Sequence, residues 1–292
     1  MPLAPKMRTM REPLMETGEL AERGSDPSLA ILDCRFDLTR PVWGAAAYAQ
    51  AHIPGAVYAH LDRDLSSPVT RMSGRHPLPD RMRLAQNLSQ WGIDASVDVV
   101  VYDQNTGAIA ARAWWLLRWL GHARVALLNG GLGAWTAAGL PLRSGTETRA
   151  PRHFIPGEPL EAALDTVEVR QRLDAAAIQL VDARAPERFL GRNEPIDSVA
   201  GHIPGAENHP FNDNLDTHGR FLAPDDLRRR WLSTLGGRDP ALLVSMCGSG
   251  VTACHNLVAL RAAGLPGGRL YAGSWSEWIR DPSRPVVLSC AS

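Results

Sequence analysis

Cys247 closes an apolar run from Ala241 to Met246 and opens directly onto the short loop Cys-Gly-Ser-Gly-Val-Thr-Ala, residues 247–253. A helical pattern follows, from about Gly250 to Gly264. A thiol at a strand end, facing a helix N-terminus, sits where partial positive charge and unpaired N–H groups converge. Such a nest favours thiolate over thiol, and the thiolate is the nucleophile. Gly248 and Gly250 permit the tight curl that turns the N–H groups of Gly248, Ser249, Gly250, Val251, Thr252 and Ala253 toward an anion on that sulfur. The pattern points to covalent cysteine chemistry.

Two other uses of such a loop fail on residue type. A cysteine phosphatase carries arginine six residues after its nucleophile to clamp phosphate; here that position is Ala253, and no basic residue lies between Cys247 and His255. A loop this neutral cannot hold a phosphate dianion through side chains. Metal binding by Cys247, Cys254 and His255 fails on spacing, because the set lacks a paired ligand motif.

The bulk composition narrows the setting. Lysine plus arginine and aspartate plus glutamate number 31 each, so charge gives no reason to expect nucleic acid or an anionic membrane as partner. No apolar run approaches the ~20 residues of a membrane span. The N-terminus, with Met1, Met7 and Met10 among scattered charges, has no apolar core of a secretory signal and reads as a loose tail, with a start later than Met1. Four cysteines are too few for a disulfide framework in a chain of this length and fit a reducing cytoplasm. Of these, Cys34 reads as a buried strand residue, Cys254 as a core-facing helix position and Cys290 as exposed.

The chain repeats itself. Asp33-Cys34-Arg35 and Asp182-Ala183-Arg184 each close an apolar run, and His52-Ile53-Pro54-Gly55-Ala56 returns as His202-Ile203-Pro204-Gly205-Ala206. Val99–Asp103 leads to Gly107 and a helix, as Leu242–Met246 leads to Gly250. A repeat of this length indicates a duplicated domain rather than a solenoid. The halves are expected at 1–145 and 160–292, with a Pro- and Gly-rich seam from Gly139 to Glu161. In the first half Ala30–Asp33, Val97–Tyr102 and Val125–Leu128 read as buried strands, and Met82–Trp91 and Ala108–Leu120 as helices. This alternation predicts an α/β protein, each half a mostly parallel sheet with helices on both faces. Ligands of such sheets bind beyond the carboxyl ends of the strands, where Cys247 falls. Aligning Gly107 with Gly250 puts Gln104 opposite Cys247, so the first half is expected to be catalytically inert.

The duplicated halves, the paired His-Ile-Pro-Gly-Ala segments and a Cys-Gly-Ser-Gly-Val-Thr-Ala loop in the second half alone resemble the two-domain rhodanese-like sulfurtransferases. The resemblance runs from about Leu29 to Trp278, and the loop looks most like that of the 3-mercaptopyruvate sulfurtransferases. Thiosulfate-using rhodaneses typically carry two cationic residues where this chain has Gly248 and Ser249. The resemblance implies two tandem rhodanese-like domains and a ping-pong mechanism. Cys247 takes sulfur from a small anionic donor, preferentially 3-mercaptopyruvate, as a persulfide and yields it to cyanide, a thiol or a thioredoxin-like acceptor. It implies no metal or organic cofactor, and the chain is expected to act as a monomer. Thiosulfate as donor is the nearest alternative, and a non-catalytic sulfur-carrier or docking module the distant one.

The same resemblance assigns further roles. Arg188 matches the family's arginine for the donor carboxylate, which a guanidinium suits through two parallel bonds; its plain alternative is a surface arginine paired with Glu187 or Asp182. The family's second arginine is absent from Glu194-Pro195-Ile196-Asp197, leaving Arg192 as a substitute one turn away. Ser249, oriented by His76 and Asp62, would polarise the carbonyl of mercaptopyruvate; Asp64 is a near rival of Asp62. Asp182 and Arg184 are expected to brace the loop, Trp275 and Trp278 to pack at the cleft rim or in the core, and Trp114, Trp115 and Trp119 to fill the core and the interdomain contact.

Overall fold

The computed structural model describes residues 12–24 and 26–288. The expected loose tail and late start, and the expected exposure of Cys290, concern residues outside these. Among the described residues ten strands form two sheets. The first holds β1 (Leu14–Met15), β2 (Leu29–Asp33), β3 (Ala56–Tyr58), β4 (Asp98–Tyr102) and β5 (Val125–Leu128). The second holds β6 (Ala163–Leu164), β7 (Gln179–Asp182), β8 (Glu207–Asn208), β9 (Leu243–Met246) and β10 (Arg269–Tyr271). Their orders, β1-β5-β4-β2-β3 and β6-β10-β9-β7-β8, are the same order shifted by five strands. Every neighbouring pair is parallel.

Strands covered on both faces have no solvent side to alternate toward, so β4, β5, β7 and β9 are buried along their whole length. The edge strands β1, β3, β6 and β8 are two or three residues long, too short to mark themselves by periodicity. Cys34 is buried, but one residue past β2 rather than within it. Its N–H still bonds the carbonyl of Tyr102 at 2.8 Å.

The two halves meet through the Ala110–Trp119 helix of the first and the Thr252–Ala262 helix of the second. Each is buried nearly all round, because each lies between its own sheet and the other helix. Consequently a single hydrophobic cluster runs from Leu32 and Val101 through Trp114 and Trp115 to Val258 and Leu270. Trp119 is only partly buried, at the margin of that cluster. Glu161 clasps the joint, accepting from Arg118 Nε at 2.7 Å and Arg261 Nη2 at 3.0 Å, while both guanidiniums lie over the Trp114 ring. The connecting segment runs back along the first half: Arg143 N–H bonds His52 O and Gly157 N–H bonds Leu120 O. Trp275 and Trp278 lie in the core on the far face of the second sheet, not at a rim. Among the described residues no helix is long and apolar enough to cross a membrane.

A core shared across the joint predicts one cooperative unfolding transition for both halves. Trp114→Ala should lower the stability of the whole chain by roughly 3–5 kcal/mol, as removal of a buried tryptophan does. Urea denaturation followed by circular dichroism checks this; two separated transitions in the parent would refute it.

Candidate active site

Cys247 stands one residue beyond β9, the middle strand of the second sheet, and is 2 % exposed. The loop after it is pinned from below by the turn following β10. Cys247 N–H donates to Ser274 Oγ at 3.1 Å, and its carbonyl accepts from Trp275 N–H at 3.0 Å. Ser276 N–H bonds the Gly248 carbonyl at 2.9 Å. Ser274 holds a left-handed φ of 53°, unusual for a non-glycine residue. Gly250 is obligatory: its φ is 73°, and a Cβ there would stand 2.4 Å from the Ala272 carbonyl oxygen.

Inside the curl, the amides of residues 248–253 find no acceptor among the described residues. The matching loop of the first half shows what such amides hold. There Asp103, fully buried, accepts N–H bonds from Asn105 (3.2 Å), Gly107 (2.9 Å), Ile109 (2.8 Å) and Ala110 (3.1 Å). Under the Gly107–Gly250 alignment these donors correspond to Gly248, Gly250, Thr252 and Ala253. Burial pushes the Asp103 carboxyl up, with the four N–H bonds pulling the other way. One copy of the loop is filled by its own carboxylate; the other is open.

Ser249, His76 and Asp62, far apart in sequence, form a hydrogen-bonded chain across the joint. His76 Nδ1 lies 2.7 Å from Ser249 Oγ, and His76 Nε2 lies 3.2 Å from Asp62 Oδ1. A carboxylate can only accept, so Nε2 carries the proton and Nδ1 accepts from the serine hydroxyl. Burial holds the imidazole below its ordinary value although Asp62 raises it. The bond from His76 in turn holds the Asp62 carboxyl below its own. Asp64 is occupied elsewhere: it pairs with Arg63 and accepts from His60 N–H. The segment bearing His76 is tied to the second half by Arg75 N–H to Ser276 Oγ at 2.9 Å.

A cleft of about 160 Å³ opens over Cys247, lined by Phe36, Leu61, Arg75, His76, Arg188 and Ser249 among others. Arg188 pairs with neither Glu187 nor Asp182. Its Nε bonds both oxygens of Glu194 at 3.0 Å, and its Nη2 bonds Asp197 at 2.9 Å. Arg192 does not enter the cleft; half-exposed, it sits 3.6 Å from Glu187. The second guanidinium comes from the other half of the chain, where Arg75 Nη1 bonds Asp197 Oδ1 at 2.6 Å. A Cβ built on Gly248 would lie 3.1 Å from Arg75 and 3.5 Å from Arg188, so both cations border the loop.

The bracing expected of Asp182 and Arg184 falls elsewhere. Arg184 folds back on Asp182, then donates to Gly201 O and contacts Glu194 at 3.4 Å. Neither side chain bonds the 247–253 loop; they fix the segment that holds Arg188. Asp33 and Arg35 repeat the arrangement, with Arg35 donating to Ala51 O. Three cations (Arg75, Arg184, Arg188) thus face three carboxylates (Asp182, Glu194, Asp197), and the cluster is neutral. Burial raises Glu194, but bonds from Arg188 and backbone N–H groups outweigh it and hold the carboxyl below its ordinary value. Arg75 escaped sequence reasoning although it adjoins His76. Its signal was that whatever lends a histidine across a joint lends its neighbour too.

Comparison with known proteins follows this geometry. The family profile described as Rhodanese-like domain matches residues 16–138 and 165–281. A probable 3-mercaptopyruvate sulfurtransferase of Pseudomonas aeruginosa is 53 % identical over 94 % of this chain and 97 % of its own. A Mycobacterium tuberculosis protein provisionally named a thiosulfate sulfurtransferase is 41 % identical over 96 % of this chain and 98 % of its own. The solved 3-mercaptopyruvate sulfurtransferase from Leishmania major superposes with a TM-score of 0.82 at 31 % identity, over 94 % of this chain and 75 % of that one.

The depressed imidazole gives a direct check. Followed by NMR, His76 should titrate below the ordinary histidine value of about 6.5, and Asp62→Asn should lower it further by removing a partner that favours the cation. A midpoint at or above 6.5 would contradict the buried, neutral ring.

Proposed function

The chain belongs to the rhodanese-like family of sulfurtransferases, and on that premise we propose that it moves sulfane sulfur from 3-mercaptopyruvate to a thiophilic acceptor through a persulfide on Cys247. The Cys247 thiolate attacks the donor's sulfur, the donor C–S bond breaks, and its electron pair passes into the carbonyl as an enolate. The enolate carbon takes up the proton that the donor thiol brought, leaving pyruvate and a Cys247 persulfide anion. Cyanide, a small thiol or a thioredoxin-like protein then attacks the terminal sulfur, the S–S bond breaks, and the thiolate returns. Open amides from Gly248 to Ala253 would hold the anionic sulfur in both states, as the first half's amides hold Asp103.

The observation that carries the choice of donor is the Ser249–His76–Asp62 chain. The Ser249 hydroxyl lines the cleft, and by turning its O–H from His76 Nδ1 to the donor's carbonyl it can stabilise a developing enolate oxygen. Thiosulfate has no carbonyl and no use for it. The neutral cluster around Arg75 and Arg188 supports the same donor, since a monoanionic carboxylate needs less surplus positive charge than a dianion. A relative named for thiosulfate keeps that donor as the second reading. Among the described residues the free, buried thiols of Cys34, Cys247 and Cys254 suit a reducing cytoplasm, and action as a monomer is part of the same proposal.

Incubation with mercaptopyruvate should add the mass of one sulfur to the parent and none to Cys247→Ser; no gain in the parent with either donor would leave only a docking role. His76→Ala should cost mercaptopyruvate turnover ~10²-fold, in the range of general acid–base assistance, and thiosulfate turnover far less. Equal losses would remove the relay. Asp197→Asn leaves the arginine pair one charge more positive and should shift the ratio of kcat/KM values toward thiosulfate by about tenfold; an unchanged ratio would show that charge does not set the choice.

A further inference from the structure

Arg112 is an arginine without a counter-ion. It lies on the Ala110–Trp119 helix of the first half and is completely buried. No carboxylate pairs with it among the described residues. Instead Nη1 donates to the Gly250 carbonyl at 3.1 Å, and Nη2 to the carbonyls of His76 at 3.1 Å and Pro77 at 3.3 Å. Nε has no acceptor. One fork therefore joins the apex of the Cys247 loop to the segment that carries the relay histidine.

Carbonyl oxygens satisfy the fork but leave its charge unbalanced, and an unpaired buried ion is costly. A neutral side chain could tie the same carbonyls at less cost, so the charge itself calls for a function. The Gly250 carbonyl that Arg112 holds also accepts from Cys254 Sγ at 3.3 Å, so the guanidinium stands beside the Cys254 thiol, behind the loop that Cys247 opens. Burial lowers Arg112 from the ordinary arginine value, while thiolate charge at Cys254 or Cys247 would raise it. Cys254 cannot be that anion near neutral pH, because burial pushes its thiol up to about 12.

Resting on the reading of Cys247 as the sulfur carrier, we infer that Arg112 is a positioning residue lent by the inert half. Its unpaired guanidinium is the resident counter-charge of the Cys247 sulfur anion, and its fork sets Gly250 and His76 in register. The other charged or titratable groups near Cys247 are Arg75 and His76 on the crossing segment, Arg188 on the Pro186–Phe189 turn of helix, and Cys254 on the helix beyond the loop. Arg75 and Arg188 are already paired with Asp197 and Glu194, whereas Arg112 has no carboxylate partner among the described residues and can answer a new negative charge.

The test needs no sulfur donor. The pH dependence of iodoacetamide alkylation at Cys247, read by peptide mass spectrometry, reports its thiolate in the parent, Arg112→Gln and Arg112→Lys. The midpoint should rise by about one pH unit in Arg112→Gln and stay within a few tenths in Arg112→Lys, which keeps the charge. Turnover should fall at least tenfold in Arg112→Lys, because a single ammonium cannot hold Gly250 and His76 together. A purely structural strut predicts equal midpoints in folded Gln and Lys variants, and that result would overturn the inference. Should Arg112→Gln not fold, Arg112→Met, which also removes the charge, takes its place: a midpoint raised above that of Arg112→Lys supports the inference, and equal midpoints overturn it, as does undiminished turnover in Arg112→Lys. Failure of the persulfide reading would show separately, as sulfur transfer surviving in Cys247→Ser.

Discussion

The site is built around backbone amides that curl together without an acceptor among the described residues. Such groups are stable only if the chain is pinned on every side, since a loop free to move would satisfy them with its own carbonyls or with water. The pins are identifiable. The turn after β10 holds Cys247 and Gly248 from below, and Gly250 passes too close to Ala272 for any side chain. Arg112 grips the Gly250 carbonyl from across the joint. Preorganised dipoles of this kind stabilise negative charge without reorganising when it arrives.

Duplication explains how one half came to serve the other. Both halves keep the same sheet order and the same buried Asp-Arg pair after the second strand of each sheet. They also keep the same histidine folded onto a carbonyl, His52 on Tyr48 and His202 on Phe189. They part at the loop. In the first half Asp103 fills its own ring of amides and makes it a rigid, finished structure. That half presents Arg75, His76 and Arg112 to its twin, and the shared core between the two long helices fixes those three side chains.

Charge is managed differently on the two sides of the candidate nucleophile. Toward the cleft, Arg75 and Arg188 are matched by Asp197 and Glu194, so a bound anion competes with resident carboxylates and its charge matters. Behind the loop, Arg112 meets backbone carbonyls and no carboxylate among the described residues. The first arrangement suits selection among anionic donors; the second suits an anion that never leaves. Had the carboxylates stood behind and the bare arginine in front, the cleft would hold any dianion and the sulfur would face negative charge.

Legible in the order of residues alone were the duplicated α/β plan, the place of Cys247 at a strand end and the burial of the Ala110–Trp119 helix. Each is written in a local pattern of apolar runs, glycines and repeated motifs. The sequence also suggested Asp62, His76 and Ser249, through resemblance rather than through spacing. Packing across the joint, by contrast, set Arg75 rather than Arg192 beside Arg188, turned Asp182 and Arg184 to the Arg188 segment rather than the loop, and left Arg112 without a carboxylate partner among the described residues. Those outcomes depend on which groups meet across a joint between halves, more than a hundred residues apart for Arg75 and Asp197. Periodicity reports whether a side chain faces inward; it carries no information about which charge, if any, waits there.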